Sequence, residues 1–319
     1  MDRKWMLLPT QVREVENILS QVGGKVMVVG GAVIDLVRGV CSADTDWDLE
    51  VYGLTLDQIK DALQNFNPTI CGASFGVVRI SVDGCDIDVS IPRKDNSTGV
   101  GHKDFHVQTD PEMDPVNAAG RRDFTINSMF YDIENMKVVD PYGGLDDLAV
   151  GEIRMVSTSA FKEDPLRVLR AMQLVARKGN YVEPRTTIAA RGMDMDSLPR
   201  ERVMGEWVKL LLKADRPSLG LKFLLECGWL RYFPELVEFV RWSGWDYPEN
   251  ISITRRATVP NTERGCPQNP DWHPEGNVWI HTLKVVDAAA RVRHKVPEEW
   301  RLAFMFAALL HDVAKPITT

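Results

Sequence analysis

The sequence carries no surplus of positive charge: 38 Lys and Arg stand against 45 Asp and Glu, a net charge of −7. No global field favours a polyanion, so any nucleic-acid surface must be a local patch. Long apolar runs are also missing. None approaches the roughly 20 residues that span a bilayer, and the opening Met1–Pro9 has no signal-peptide core of sufficient length. A soluble, cytoplasmic protein with no membrane partner is expected. Cysteine is sparse: Cys41, Cys71, Cys85, Cys227 and Cys266 are scattered and never spaced as CxxC. That argues against a disulfide framework and a structural zinc site, and the five are expected as reduced core thiols. There is no internal repeat and no low-complexity tract. With 44% hydrophobic positions over 319 residues, the chain can bury well over half of its unfolded surface, which excludes disorder across most of it. Oligomeric state is left open.

Apolar Val12, Val15, Ile18, Leu19 and Val22 recur at helical spacing over 10–22, and Gly23-Gly24 turns the chain into the strand Val26–Val29. A short helix from Ala32 to Arg38 closes at Gly39. Trp47, Leu49 and Val51 then alternate with Asp46, Asp48, Glu50 and Tyr52 as in a half-buried strand. A helix over 56–66 and strands over 77–82 and 86–91 complete a mixed α/β unit in the first 135 residues. Pro92 to Asn117 reads as a long loop. Beyond Asp164 the pattern is helical, with Leu166, Val168, Leu169, Met172, Leu174 and Val175 forming an apolar stripe. The proline-rich stretch from 244 to 276 reads as a linker or surface insertion rather than core, and two helices near 277–293 and 297–314 follow.

Asp46 and Asp48 are two apart on a strand, so both carboxylates leave one face while Trp47 and Leu49 point inward. That geometry suits magnesium, a hard cation that needs one or two carboxylates plus substrate phosphates. Asp86 and Asp88 offer a third carboxylate if the two strands are neighbours. An edge strand showing acids to solvent has the same pattern, and a lone Asp-x-Asp does not separate the two. Gly30-Gly31, between strand and helix, lets backbone N–H groups approach a phosphate without Cβ interference.

Gly30-Gly31-Ala32-Val33-Ile34-Asp35, closed at Gly39 and followed by Asp46-Trp47-Asp48-Leu49-Glu50-Val51-Tyr52-Gly53, resembles the head-domain signature of class II tRNA nucleotidyltransferases and bacterial poly(A) polymerases, in the polymerase-beta-like superfamily. Ile34 stands where the family usually has arginine, with Arg38 as a candidate substitute. Counting from Gly39 sets the acidic pair at Asp44 and Asp46; counting from the DxDLEVYG pattern sets it at Asp46 and Asp48, which the strand alternation favours. Arg121-Arg122-Asp123-Phe124-Thr125-Ile126-Asn127-Ser128-Met129 looks like the family's RRDFTINAM segment. Adjacent arginines can bind a triphosphate, and the aspartate can accept from a ribose hydroxyl. The resemblance implies that Asp123 selects ribonucleotides.

Glu163-Asp164-Pro165-Leu166-Arg167 opens the first long helix, with Asp164 and Arg167 on one face. Cytosine and adenine both show an amino donor beside a ring-nitrogen acceptor, whereas uracil and guanine show the reverse. An aspartate and an arginine so placed admit C and A and exclude U and G. An isolated EDxxR is also a plain helix start with a surface ion pair; after RRDFTIN it matches the family motif in which the protein acts as template. Arg200-Glu201-Arg202 before Val203-Met204-Gly205-Glu206-Trp207 resembles the next helical motif. Arg167, Arg170, Arg177, Lys178, Arg185 and Arg191 supply a local cationic surface fitting a tRNA acceptor stem.

His281 and the pair His311-Asp312 resemble the opening of an HD-type metal phosphohydrolase domain, which requires a further aspartate on a later helix; none follows within these 319 residues. A buried hydrogen-bonded His-Asp pair is the plainer expectation.

The resemblance implies an α+β fold: a polymerase-beta-like head of mixed sheet and flanking helices over 1–135, then an all-helical neck over 136–215, a body and Pro-rich linker over 216–270, and a partial HD region over 271–319. It implies addition of C and A to the 3′ end of tRNA from CTP and ATP with Mg²⁺. Asp46 and Asp48 would hold the metal, with Asp88 as third carboxylate. Gly30, Gly31, Arg121, Arg122, Asp123, Asn127, Glu163, Asp164, Arg167 and Arg170 would bind the nucleotide. An A-adding enzyme or poly(A) polymerase shares these motifs. Metal phosphohydrolysis at the C-terminal cluster and non-catalytic RNA binding are the other classes.

Overall fold

The structure, a computed structural model, describes residues 8–42, 45–71, 76–97, 105–241 and 276–315. Asp44, Cys266 and the proline-rich stretch through 275 lie outside the described residues. The chain divides into two compact units, 1–164 and 165–319. No helix among the described residues is long and apolar enough to cross a membrane.

The first unit runs α1 (Thr10–Gln21), β1 (Lys25–Val29), α2 (Gly31–Arg38), β2 (Trp47–Tyr52), α3 (Leu56–Ala62), β3 (Thr69–Cys71), β4 (Val77–Val82), β5 (Cys85–Ser90), β6 (Arg93–Ser97) and β7 (Phe105–Thr109). It continues through α4 (Pro115–Gly120), α5 (Thr125–Ser128), β8 (Phe130–Asp132), β9 (Lys137–Val139), α6 (Gly144–Val150), β10 (Glu152–Ile153) and α7 (Thr158–Lys162). Seven strands form one mixed sheet in the order β3-β4-β5-β2-β1-β8-β9. β2 and β5 run parallel and the other neighbours antiparallel. A parallel pair cannot close through a tight turn, and the chain between them makes its crossover through α3, β3 and β4.

Local chemistry sets these elements. Val12, Val15 and Leu19 of α1 are buried, whereas Val22 is exposed because the helix stops before the Gly23-Gly24 turn. α2 ends at Gly39, whose φ of 67° is the left-handed conformation that glycine supplies without a Cβ penalty. Thr55 and Gln58 close a capping box on α3, which ends at Ala62, short of the expected Phe66. The expected loop from Pro92 to Asn117 instead holds the antiparallel hairpin β6–β7 and the start of α4, with Asp114 accepting from the backbone N–H of Val116 and Asn117. The first hairpin strand, Arg93-Lys94-Asp95-Asn96-Ser97, is wholly polar and offers no apolar alternation. The expectation of five core thiols also fails: Cys41 is exposed, while Cys227 is buried and its thiol is pushed up to about 12 by that burial.

The second unit comprises α8 (Leu166–Lys178), β11 (Tyr181–Val182), α9 (Pro184–Arg191), α10 (Arg200–Lys213), α11 (Pro217–Glu226), α12 (Pro234–Arg241), α13 (Val278–Val292) and α14 (Glu298–Leu310). The expected stripe of α8 is buried along its length. α10 and α11 pack on α8, α13 on α11 and α14 on α10. Trp229, fully buried, donates its indole N–H to the Ala190 carbonyl at 2.9 Å. Two polar clamps join α13 to its neighbours. The Asp287 carboxylate accepts from the Ser218 N–H at 2.9 Å and hydroxyl at 2.7 Å, adding negative charge at the start of α11. Arg293 donates to the Ala214 carbonyl just past α10 at 2.6 Å.

Gly220 lets α11 cross α8 closely: a Cβ there would stand 2.5 Å from the Met172 carbonyl oxygen and 2.8 Å from Leu210 Cδ1. Gly220→Ala should therefore force the helices apart and lower the stability of this unit by about 1–3 kcal/mol in a denaturant melt. A wild-type midpoint would show that the crossing is not close-packed.

Candidate active site

Alternation sets the acidic face of β2. Trp47 is 2% exposed and Leu49 is fully buried, while Asp48 and Glu50 are half-buried. The strand begins at Trp47, so Asp46 stands one residue ahead of it, exposed. Val29 of β1 and Asp88 of β5 lie directly across from Asp48 on its two sides. The strands of the two Asp-x-Asp pairs are neighbours, and Asp88 faces Asp48. Asp86 is more exposed and pairs across from Ser81. Arg79 on β4, which no motif singles out, takes both oxygens of Asp88 at 2.7 Å.

Gly30 turns β1 into α2 with φ +70°, and a Cβ there would come within 3.0 Å of Asp48 Oδ2. A Cβ on Gly31 would meet nothing within 4 Å. The N-terminus of α2 thus opens beside the carboxylates, where a phosphate would find N–H donors. Carboxylates such as the exposed Asp46 and the half-buried Asp48 are the ligand type of a hard cation that takes the rest of its shell from substrate and water. Ile34, where the family carries arginine, is 1% exposed in the core and has no polar role. Arg38 sits in the last turn of α2, about 10 Å along the helix from its start.

The Arg121–Met129 segment is anchored to the acidic strand. Arg122 donates from Nη2 to Glu50 Oε2 at 3.1 Å and from Nη1 to the Asn127 carbonyl at 3.0 Å. The same Glu50 oxygen accepts from the Tyr52 hydroxyl at 2.6 Å, and burial, with Glu50 alongside, pushes the Tyr52 phenol upward so that it stays a donor. Asp123 is buried and Oδ1 accepts from the Phe124 N–H and Asn127 Nδ2, each at 2.9 Å. Arg122 and Asn127 therefore hold the segment in shape. Behind it, Asp147 accepts from the Thr125 hydroxyl and from Arg154 Nε at 2.9 Å. Gly144 passes so close to the Thr125 carbonyl that no side chain would fit there. Glu50 and Tyr52 lie inside the Asp46–Gly53 signature but were given no role, and Asp147 and Arg154 lie in no motif.

Glu163 follows the last residue of α7, and Pro165 occupies the position just before α8, which starts at Leu166 rather than at Asp164. The division between the two units falls between Asp164 and Pro165. Arg167 and Arg170 follow three apart on α8, both half-buried. Glu206 on α10 is 3% exposed; Oε1 accepts from Lys209, and Oε2 is buried without a hydrogen-bond partner among the described residues.

A second polar cluster lies in the C-terminal helices. His281 Nε2 and His311 Nε2 are 3.1 Å apart, and Asp312 Oδ2 lies 3.7 Å and 3.3 Å from them. Lys315 Nζ is 2.8 Å from the same oxygen. Among the described residues this is the one three-residue set whose ligand atoms all lie within 4.8 Å; Asp46, Asp48 and Asp88 are not gathered to that spacing.

Residues 26–154 match the Poly A polymerase head domain family, whose nucleotidyl-transfer chemistry calls for a divalent metal. The chain is 32% identical over 295 residues to the Multifunctional CCA protein of Neisseria gonorrhoeae (strain NCCP11945), covering 91% of this chain and 62% of that one. It is 33% identical over 303 residues to the protein of the same name from Xanthomonas campestris pv. campestris (strain B100), covering 92% and 64%. The chain thus spans a little under two thirds of the length of these curated relatives. In fold it resembles the Thermotoga maritima CCA-adding enzyme complexed with tRNA, with TM-score 0.57, 18% identity, and coverage of 99% of this chain and 83% of that one. The head match takes in both acidic strands and about nine-tenths of the chain aligns to these relatives, so the chain is similar to class II tRNA nucleotidyltransferases and poly(A) polymerases.

Proposed function

We propose that this chain is a tRNA nucleotidyltransferase that adds C and A to the tRNA 3′ end from CTP and ATP without a nucleic-acid template, in the cytoplasm. The observation that carries the reading is the pairing of Asp48 with Asp88 against the Gly30-Gly31 turn, within a head whose relatives are named for CCA. In the reaction the terminal hydroxyl oxygen of the RNA forms a bond to the α-phosphorus and loses its proton. The bond from that phosphorus to the β-phosphate oxygen breaks, and pyrophosphate leaves.

Asp46 and Asp48 would hold Mg²⁺, with Asp88 available as third carboxylate. When bound there, the ion supplies charge neutralisation at the phosphates and activation of the attacking hydroxyl. The N–H groups at Gly30 and Gly31 receive phosphate oxygens, and Arg121 adds positive charge. Arg122 and Asn127 act by holding Asp123, which accepts from the ribose. Asp164 accepts the amino hydrogen of cytosine or adenine and Arg167 serves the ring nitrogen, with Glu163 and Arg170 beside them. The head (1–135) does chemistry in this reading, the neck (136–215) reads the base, and the cationic α8–α9 surface with the body (216–270) holds the acceptor stem. A-adding or poly(A) synthesis would use the same groups.

A second reading, metal phosphohydrolysis by an HD-like region over 271–319, has the His281–His311–Asp312 cluster in its favour. Lys315 already balances Asp312 in charge, which supports a structural cluster.

Asp46→Ala and Asp48→Ala should each lower turnover on the order of a hundredfold or more with the fold retained, because both act on the charged transition state. Near-normal extension by a variant would remove that residue from the site. Asp164→Ala should weaken discrimination against UTP and GTP by about 1–3 kcal/mol, the cost of one unpaired buried polar group. Arg167→Ala should depress CTP and ATP use together. The measurement is kcat/KM for all four ribonucleotides; selectivity unchanged in both variants would mean that the pair only positions α8. His311→Ala combined with Asp312→Ala should retain CTP and ATP incorporation, and a folded double variant unable to extend tRNA would refute the structural role.

A further inference from the structure

Asp88 lies between two neighbours of opposite charge. Parallel pairing sets it directly across from Asp48 on β2, and antiparallel pairing sets Arg79 directly across from it on β4. Side chains paired in this way leave the same face of a sheet with Cβ atoms about 5 Å apart. Asp48, Asp88 and Arg79 therefore form one cross-strand row: acid, acid, base. The guanidinium approaches Asp88 as a fork, Nε to Oδ1 and Nη2 to Oδ2, each at 2.7 Å. A fork fixes the carboxylate plane and engages both oxygens at once. Asp88 is turned toward β4, and the three carboxylates are not gathered as metal ligands would be.

We propose that Arg79 is a positioning residue that latches Asp88 out of the metal set while no nucleotide is bound, leaving Asp46 and Asp48 as the resting pair. The inference rests on the reading of Asp46 and Asp48 as metal ligands and adds a control on when the third carboxylate joins them. A latch must also be able to open. The Arg79 side chain is 55% exposed and that of Asp88 28%, so water screens the pair and its net worth is small. Triphosphate oxygens arriving beside Gly30 and Gly31 offer the guanidinium another anionic partner of the same bidentate kind. Exchange of Arg79 from carboxylate to phosphate frees Asp88 as the nucleotide arrives. Metal and nucleotide then bind with positive coupling, since each favours the opened arrangement.

The test is Mn²⁺ binding to the nucleotide-free full chain, read from the electron paramagnetic resonance of free ion. Arg79→Ala, and Arg79→Met, which keeps the aliphatic stem, should each tighten binding about fivefold, the scale of a half-exposed ion pair. In an Asp88→Asn background the same replacements should change affinity by less than about twofold, because no carboxylate remains to release. Sites elsewhere, including the histidine cluster, contribute equally to every corner of this cycle. Wild-type affinity in both folded Arg79 variants would overturn the latch. Equal tightening with and without the Asp88 carboxylate would also overturn it, as an effect of charge alone. Binding indifferent to Asp48→Asn would bring down the metal reading and the latch together, whereas binding that depends on Asp48 and ignores Arg79 brings down the latch alone.

Discussion

The parallel pairing of β2 with β5 is the constraint on which the active face depends. It joins residues forty apart in the chain, Asp48 and Asp88, in one register, with the crossover through α3, β3 and β4 between them. Because side chains alternate along a strand, a slip of one residue would turn Trp47 and Leu49 to solvent and drive Asp48 into the core. The burial of Trp47, Leu49, Ile87 and Val89 therefore fixes the placement of the carboxylates as well as the stability of the sheet.

A second consequence follows along β2. Two residues beyond Asp48, Glu50 points to the same face and receives Arg122, which in turn holds the Asn127 carbonyl. The strand carrying the proposed metal ligands and the segment carrying Asp123 are thus joined by a half-buried ion pair, with the Tyr52 hydroxyl closing it. Breaking such a pair from one side would leave a charge without its partner. Arg122, a candidate for the triphosphate, also makes this joint.

The elements with apolar periodicity were legible in the sequence. α1, β1, α2, β2, β4, β5 and the stripe of α8 all show it, and the glycine stops at Gly39 and Gly23-Gly24 mark where the chain turns. The hairpin β6–β7 was not, because Arg93 to Ser97 contains no apolar residue and its strands are defined by backbone pairing alone. Within the site, Gly30, Gly31 and the Asp46–Asp48 pair could be read from local spacing. The partners Arg79, Glu50, Asp147 and Arg154 could not, since each meets its acid or base through sheet register or a distant turn, and nothing in a linear string encodes that register directly. The long helix expected to open at Glu163–Arg167 begins at Leu166, just after Pro165.

The helical unit shows how the C-terminal pair is tied into the fold: Asp287 caps α11 and Arg293 covers the carbonyl after α10, so α13 is part of the same packed core. The central claim is chemical, and its most direct test is extension of defined tRNA ends. Transcripts ending before the first C, at CC and at CCA are each incubated with CTP or ATP alone and the products sized. The account predicts that CTP extends the first transcript to CC, that ATP extends CC by a single A, and that CCA is left unchanged. No extension of any end would contradict nucleotidyl transfer to tRNA, and addition of A alone or of long A tails would contradict the assignment of C and A addition.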